Sequence, residues 1–246
     1  MKKENWFLKR EGLDKDKLKK LMEGLKIDKL TAIILLNRGL STIEEGKYFL
    51  EAGTDKLFDS YLMKDMEKAV KRMVKAIDKK EKITIYGDYD CDGVSSTSIL
   101  IKALERCGAN FNYHIPNRES EGYGMNCDRV KILADEGTKL IITCDNGIAA
   151  FEEIKLANEL GMEVILTDHH DIQLVENENG EKELKTPEAF AVVNPHQNDC
   201  NYPFELLCGA GIAFKFSMAL YKELGIDRSE ALELVEICAI ATVCDV

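Results

Sequence analysis

From Ile83 onward, short apolar runs alternate with helical patterns, and four of these runs end directly in a cluster of polar residues. Ile83–Tyr86 leads into Gly87-Asp88-Tyr89-Asp90-Cys91-Asp92-Gly93, and Leu140–Cys144 into Asp145-Asn146-Gly147. Val164–Thr167 leads into Asp168-His169-His170-Asp171, and Phe190–Val193 into Asn194-Pro195-His196. A further strand at Phe111–Ile115 and helices at Val94–Arg106, Asp128–Ala134 and Ile148–Leu160 complete the alternation. Continuous apolar strands separated by helices predict an α/β fold, a parallel sheet of five-stranded type with helices on both faces. Ligands of open α/β sheets bind at the carboxyl ends of the strands, where the four clusters fall.

The residues before this pattern read as helices. Lys15–Leu25 places Leu18, Leu21, Met22 and Leu25 at helical spacing. Ser41 with Glu44 has the form of a capping box, and Leu62–Lys79 carries a longer apolar stripe. The spacing therefore predicts a helical N-terminal extension over 1–80 and an α/β domain over 81–246. Glu176–Lys185 is polar and reads as a surface excursion, while Gly209–Leu224 and Ser229–Thr242 close the chain as helices.

Composition narrows the function. Residues 1–82 carry 21 Lys+Arg against 15 Asp+Glu, whereas residues 83–246 carry 12 against 29. The acidic part argues against a nonspecific nucleic-acid coat, but acids gathered around divalent metals contribute to such a balance. No apolar run reaches a membrane span and no apolar stretch follows the basic N-terminus, so a cytoplasmic protein without a membrane partner is expected. The eight cysteines include no CxxC pair, which disfavours a disulfide framework or a zinc ribbon.

Asp88, Asp90 and Asp92 stand at i, i+2 and i+4, and point to one side if the chain stays extended. Close carboxylates raise one another's pKa values unless a cation lies between them. An EF-hand is disfavoured: Gly93 falls at position 6 of such a loop, but a strand precedes it and Leu100 stands where the closing Glu is needed. Adjacent His169 and His170 behind an acid favour metal or phosphate chemistry, while His114 reads as structural. Asp145 alone is a helix cap or a ligand; beside the other clusters the ligand reading is stronger. Cys91, Cys144 and Cys244 read as small buried residues.

YGDYDCDGVSST, TCDNG, TDHH and ATVCDV stand in the order of the four motifs of the DHH phosphoesterase superfamily, which the chain resembles from about Leu36 to Val246. IPNRESEGYG, VVNPH and CGAGIAFK are closer to its RecJ branch of single-strand-specific DNA exonucleases than to the short DHH enzymes. The resemblance implies a two-metal phosphodiesterase, acting 5′→3′ in recombination and repair. It makes Asp90, Asp92, Asp145, His169 and Asp245 metal ligands, with Asp145 bridging two divalent ions. Asp145, His170 and Asp88 become the catalytic set, His170 reaching the substrate phosphate or completing the metal shell.

Short relatives have a histidine where Tyr86 stands, so one ligand is missing and Asp88 is its expected substitute. Arg118, Tyr123, Asn194 and His196 are the expected substrate-binding residues, Arg118 on phosphate and Tyr123 stacking on a base. Mixed carboxylate and imidazole ligation suits Mn²⁺ better than Mg²⁺, which remains an option. Expected partners are single-stranded DNA and replication or repair proteins such as single-strand-binding protein. Members of this branch continue into DHH-associated and OB domains, so the chain is expected to be the catalytic part with those domains absent. The rivals are a DHH phosphoesterase for short oligonucleotides, cyclic dinucleotides or pyrophosphate, and a nuclease-inactive scaffold in a replication complex.

Overall fold

In the computed structural model, which describes residues 14–51, 53–176 and 182–245, the first helices begin where side chains can bind free backbone amides. Asp14 caps α1 (Lys15–Leu25) and Asp28 caps α2 (Lys29–Asn37). α3 (Ile43–Leu50) starts one residue later than expected: Thr42, not Ser41, is the cap, and Glu45, not Glu44, closes the capping box. Ser41 donates its amide to the same Glu45 carboxylate. These helices bury Leu21, Ala32 and Leu35 together.

They lie in a compact unit that ends at Leu57, and a second unit begins at Phe58. The division therefore falls well before residue 80. Its cause is α4 (Met66–Asp78), which packs Met66, Ala69, Val70, Met73 and Ala76 into the second unit. That helix also starts later than Leu62, because a 3-10 turn spans Ser60–Leu62 and Asp65 takes a left-handed φ of 60° before it.

In the second unit β1 (Ile83–Tyr86), α5 (Cys91–Arg106), β2 (Phe111–His114), α6 (Cys127–Asp135), β3 (Leu140–Thr143), α7 (Phe151–Glu159) and β4 (Glu163–Thr167) alternate. After them come β5 (Gln173–Glu176), β6 (Lys182–Lys185), β7 (Ala191–Val193), α8 (Gly209–Glu223), α9 (Arg228–Leu232) and α10 (Val235–Cys244). Five strands pair in parallel in the order β2-β1-β3-β4-β7. α6 and α7 cover one face, packing Val130, Leu133, Ile154 and Ala157 against Ile141, Val164, Leu166 and Val192. Ile85, Ile142 and Ile165 are in register and point the other way, to the face of α4, α5 and α8.

The expected surface excursion carries a hairpin, β5 antiparallel to β6. One expectation changes. The closing helix is two, broken at Glu233 and Leu234. Among the described residues no helix is long and apolar enough to cross a membrane.

β2 and β3 lie on opposite sides of β1, so the winding of the sheet reverses there. The crevice beyond the carboxyl ends of β1 and β3 is the place such a sheet offers a ligand. Asp88 and Asp145 follow those two strands.

Candidate metal centre

The chain leaves β1 through Gly87, where an added Cβ would lie 2.0 Å from Thr97 Oγ1. Asp88 follows and is buried, and Asp90 caps α5 by accepting the Gly93 amide at 2.9 Å. The helix thus starts at Cys91 rather than Val94, and the extended run expected over the three acids does not form. Asp92 instead sits in the first turn of α5 and turns toward α8. Its two oxygens accept the amides of Gly209 at 2.5 Å and Ala210 at 2.8 Å, satisfying the open end of that helix.

Beyond β3, Asp145 takes a left-handed φ of 61°, a conformation that costs a non-glycine residue roughly 1–3 kcal/mol. Asn146 holds the turn by donating to the carbonyls of Tyr86 and Cys144 at 3.1 and 2.9 Å. Gly209 makes the approach of α8 possible, since a Cβ on it would lie 2.6 Å from Asp145 Cβ. Beyond β4, buried Asp168 is the hub of the loop. Its Oδ2 accepts the Ile148 amide at 2.9 Å, and its Oδ1 accepts the amides of His169 and His170 and lies 2.7 Å from His170 Nδ1.

These loops bring together three overlapping groups, each with its ligand atoms within 4.8 Å of one another. They are Asp88, Asp90 and Asp145; Asp145, His169 and His170; and Asp92, His169 and Asp245. His169 Nε2 lies 3.0 Å from Asp145, 3.5 Å from Asp92 and 3.9 Å from Asp245. All five expected ligands are therefore assembled, with Asp145 common to two groups, and Asp90 lies with Asp88 rather than with Asp92. Asp88 Oδ1 is buried without a hydrogen bond, and buried Asp145 Oδ1 has only the His169 imidazole beside it, at 3.0 Å. A buried carboxylate left without a partner costs several kcal/mol. Burial, helped by Asp90, raises Asp88 above the usual carboxylate range. Burial, reinforced by Asp92 and partly offset by His169, pushes Asp145 up to about 7. Crowded acids, an orphaned oxygen and imidazole nitrogens form a donor set that fits divalent cations and could hold two.

Tyr86 could not join them. It is fully buried between α6 and the sheet, its hydroxyl 3.4 Å from the Gly124 carbonyl and its ring edge-on to His114. Asp88 occupies the cluster instead. Arg118 and Tyr123 stand exposed at the rim, with the Tyr123 hydroxyl 3.5 Å from His170 Nε2. Asn194 and His196, expected to touch substrate, are placed differently. Fully buried Asn194 donates to the His170 carbonyl and accepts the His196 amide, while His196 lies 3.2 Å from Asp171 and 3.1 Å from the Glu205 carbonyl. Both brace the histidine loop. His114 is structural as expected, bound to Glu121 at 3.0 Å. Cys144 is buried, but Cys91 and Cys244 are exposed.

The residues that composition and spacing passed over are Asp168 as hub, Tyr89 at the rim, Asn146 under the turn, and Gly209. Asp168 had a signal, since it directly follows an apolar strand. Gly209 had none, because its constraint comes from a side chain far away in sequence.

The metal-free protein should lose stability as the pH rises. Asp145 holds its proton up to about 7 in the fold, and the hydrogen bond from His170 to Asp168 raises His170 to about 9. In both cases the folded state binds more protons than the unfolded one, so the contribution is present at low pH and fades as the pH climbs through those values. Between about pH 6 and about pH 9 the melting temperature should fall by several degrees, at about 2–4 °C per kcal/mol for a chain of this size. Scanning calorimetry in chelator would check it, and a melting temperature that rises over this range would contradict the assignment.

Comparison with known proteins places the geometry. The sequence model of the DHH family, N-terminal domain, matches residues 82–242. The single-stranded-DNA-specific exonuclease RecJ of Bacillus subtilis is 42% identical over 99% of this chain, which spans 29% of that relative's length. Among solved structures, the exonuclease RecJ bound to manganese is 33% identical with a TM-score of 0.64, over 75% of this chain and 44% of that one. RecJ of Thermus thermophilus in complex with Mn²⁺ is 26% identical with a TM-score of 0.70, over 95% of this chain and 31% of its own.

Proposed function

The chain belongs to the DHH family, and from that premise we propose that it hydrolyses phosphodiester bonds of single-stranded DNA as an exonuclease, from the 5′ end, with two divalent cations. The observation that carries this reading is the overlap of the acidic and histidine groups at Asp145, beside the unpartnered buried oxygen of Asp88 and an exposed arginine and tyrosine. Two cations held by Asp88, Asp90, Asp92, Asp145, His169 and Asp245 would supply Lewis acidity toward the phosphodiester and its attacking water. Their mixed oxygen and nitrogen donors favour Mn²⁺.

The protein's own groups do the rest. Asp168 holds His170 by Nδ1 and keeps it protonated at neutral pH, leaving Nε2 toward the rim to donate to a phosphate oxygen. Arg118 meets the phosphate backbone and Tyr123 offers an aromatic face to a base, a mode of binding with little sequence preference. This reading places the protein in the cytoplasm, in recombination and repair, with partners such as single-strand-binding protein.

Mn²⁺-dependent digestion of an end-labelled single strand, beside duplex DNA and a dinucleotide, tests it. Faster loss of the single strand, with label released first from the 5′ end, is expected. Faster hydrolysis of the dinucleotide would give the chain to the short-oligonucleotide branch, and no metal-dependent cleavage of any substrate would refute an enzyme altogether.

A further inference from the structure

Tyr89 stands where two substrate-facing groups meet. It lies in the turn between Asp88 and Asp90, so the backbone that places those acids also places its ring. The ring is half-buried and edge-on to Tyr123, with centroids 6.3 Å apart. The Arg118 guanidinium lies over its face, 5.3 Å from the centroid. Glu121, a nearby acid that could have fixed Arg118, is already held by His114 and Arg129. A long exposed arginine otherwise samples many rotamers, and an aromatic face removes that freedom while leaving the donors of the planar group outward.

We infer that Tyr89 is a positioning residue for phosphate recognition: its ring holds the Arg118 guanidinium at the mouth of the metal cleft, so that a backbone phosphate of the single strand meets an arginine already oriented. The inference rests on the proposed single-strand reading. It separates the two tyrosines. Tyr123 is 56% exposed and keeps surface free for a base, whereas Arg118 already covers the Tyr89 face.

The salt dependence of binding distinguishes the roles. Each phosphate contact to a single strand contributes about 0.7 to the slope of log affinity against log salt, while base stacking contributes affinity without that slope. Fluorescence anisotropy of a labelled oligothymidine, with Ca²⁺ in place of Mn²⁺, would compare the wild type, Y89L, Y89F, R118A and the Y89L/R118A double variant over a NaCl series. Y89L should weaken binding about three- to tenfold and lose about 0.7 of the slope. R118A should lose the same slope, the double variant no more than either, and Y89F should retain the wild-type slope. Mn²⁺ titration of Y89L should show the stoichiometry of the wild type, which separates positioning from damage to the neighbouring acids. Weaker binding by Y89L at an unchanged slope would make Tyr89 a stacking residue and overturn the inference, as would additive slope losses in the double variant. A wild type that binds single strands but does not digest them would refute the exonuclease activity while leaving the slope comparison decisive. A wild type that does not bind them would overturn both.

Discussion

Replacing Asp145 by asparagine is expected to abolish metal-dependent digestion, by about a thousandfold or more. Asparagine is the substitution that isolates the charge. It keeps the size of the side chain and tolerates the left-handed φ of 61° that the turn requires. What it removes is the anion common to the Asp88–Asp90 group and the His169–His170 group. Calorimetric Mn²⁺ titration should therefore show both ions weakened, whereas Asp245→Asn, at the edge of one group, should weaken mainly one. Unchanged stoichiometry and affinity in Asp145→Asn would sink the shared-ligand assignment. Because the buried acid no longer needs a proton or a cation, the same variant should be more stable than the wild type in chelator at alkaline pH.

Gly209→Ala is the second large effect, and it involves no charge. The new methyl would lie 2.6 Å from Asp145 Cβ and 2.9 Å from its Oδ1. These atoms belong to a buried side chain on a tight turn, so the first turn of α8 must move away. That shift withdraws the Gly209 and Ala210 amides from Asp92 and changes the spacing between the acids. Displacements of this size cost about a hundredfold in rate when they misplace reacting groups, and overpacking costs about 1–3 kcal/mol in stability. Single-strand digestion and a denaturant melt, read beside far-UV circular dichroism, would measure both. Wild-type turnover in a folded Gly209→Ala protein would show that the close approach of α8 is dispensable.

The sheet was legible because its evidence is local. Each strand is a short apolar run, and each polar cluster begins at the residue where the strand stops, so Asp88, Asp145 and Asp168 could be located by counting. The orientation of those side chains was less accessible. Asp92 was expected beside Asp88 and Asp90, but the amides of α8, far along the chain, draw it away. Asn194 and His196 occupy the right loop, yet their partners, the backbone of His170 and Glu205 and the Asp171 carboxylate, are presented only by the folded loop. Where α4 packs was not legible for a related reason: it has the same amphipathic pattern as α1, and only its packing on α8 and β7 joins it to the second unit. At α3, Ser41 and Thr42 are equally good caps by residue type, and the backbone chose the second.

Asp245 follows α10 at the far end of the unit, while Asp92 opens α5 near its beginning, and α10 packs on α5. A chain emerging from the ribosome presents Asp88, Asp90 and Asp145 long before Asp245, and domains form as units in the order of synthesis. The group that includes Asp92 and His169 is therefore completed only after α10 has left the exit tunnel and docked. This order of assembly leaves the proposed metal centre without Asp245 until α10 has docked on α5.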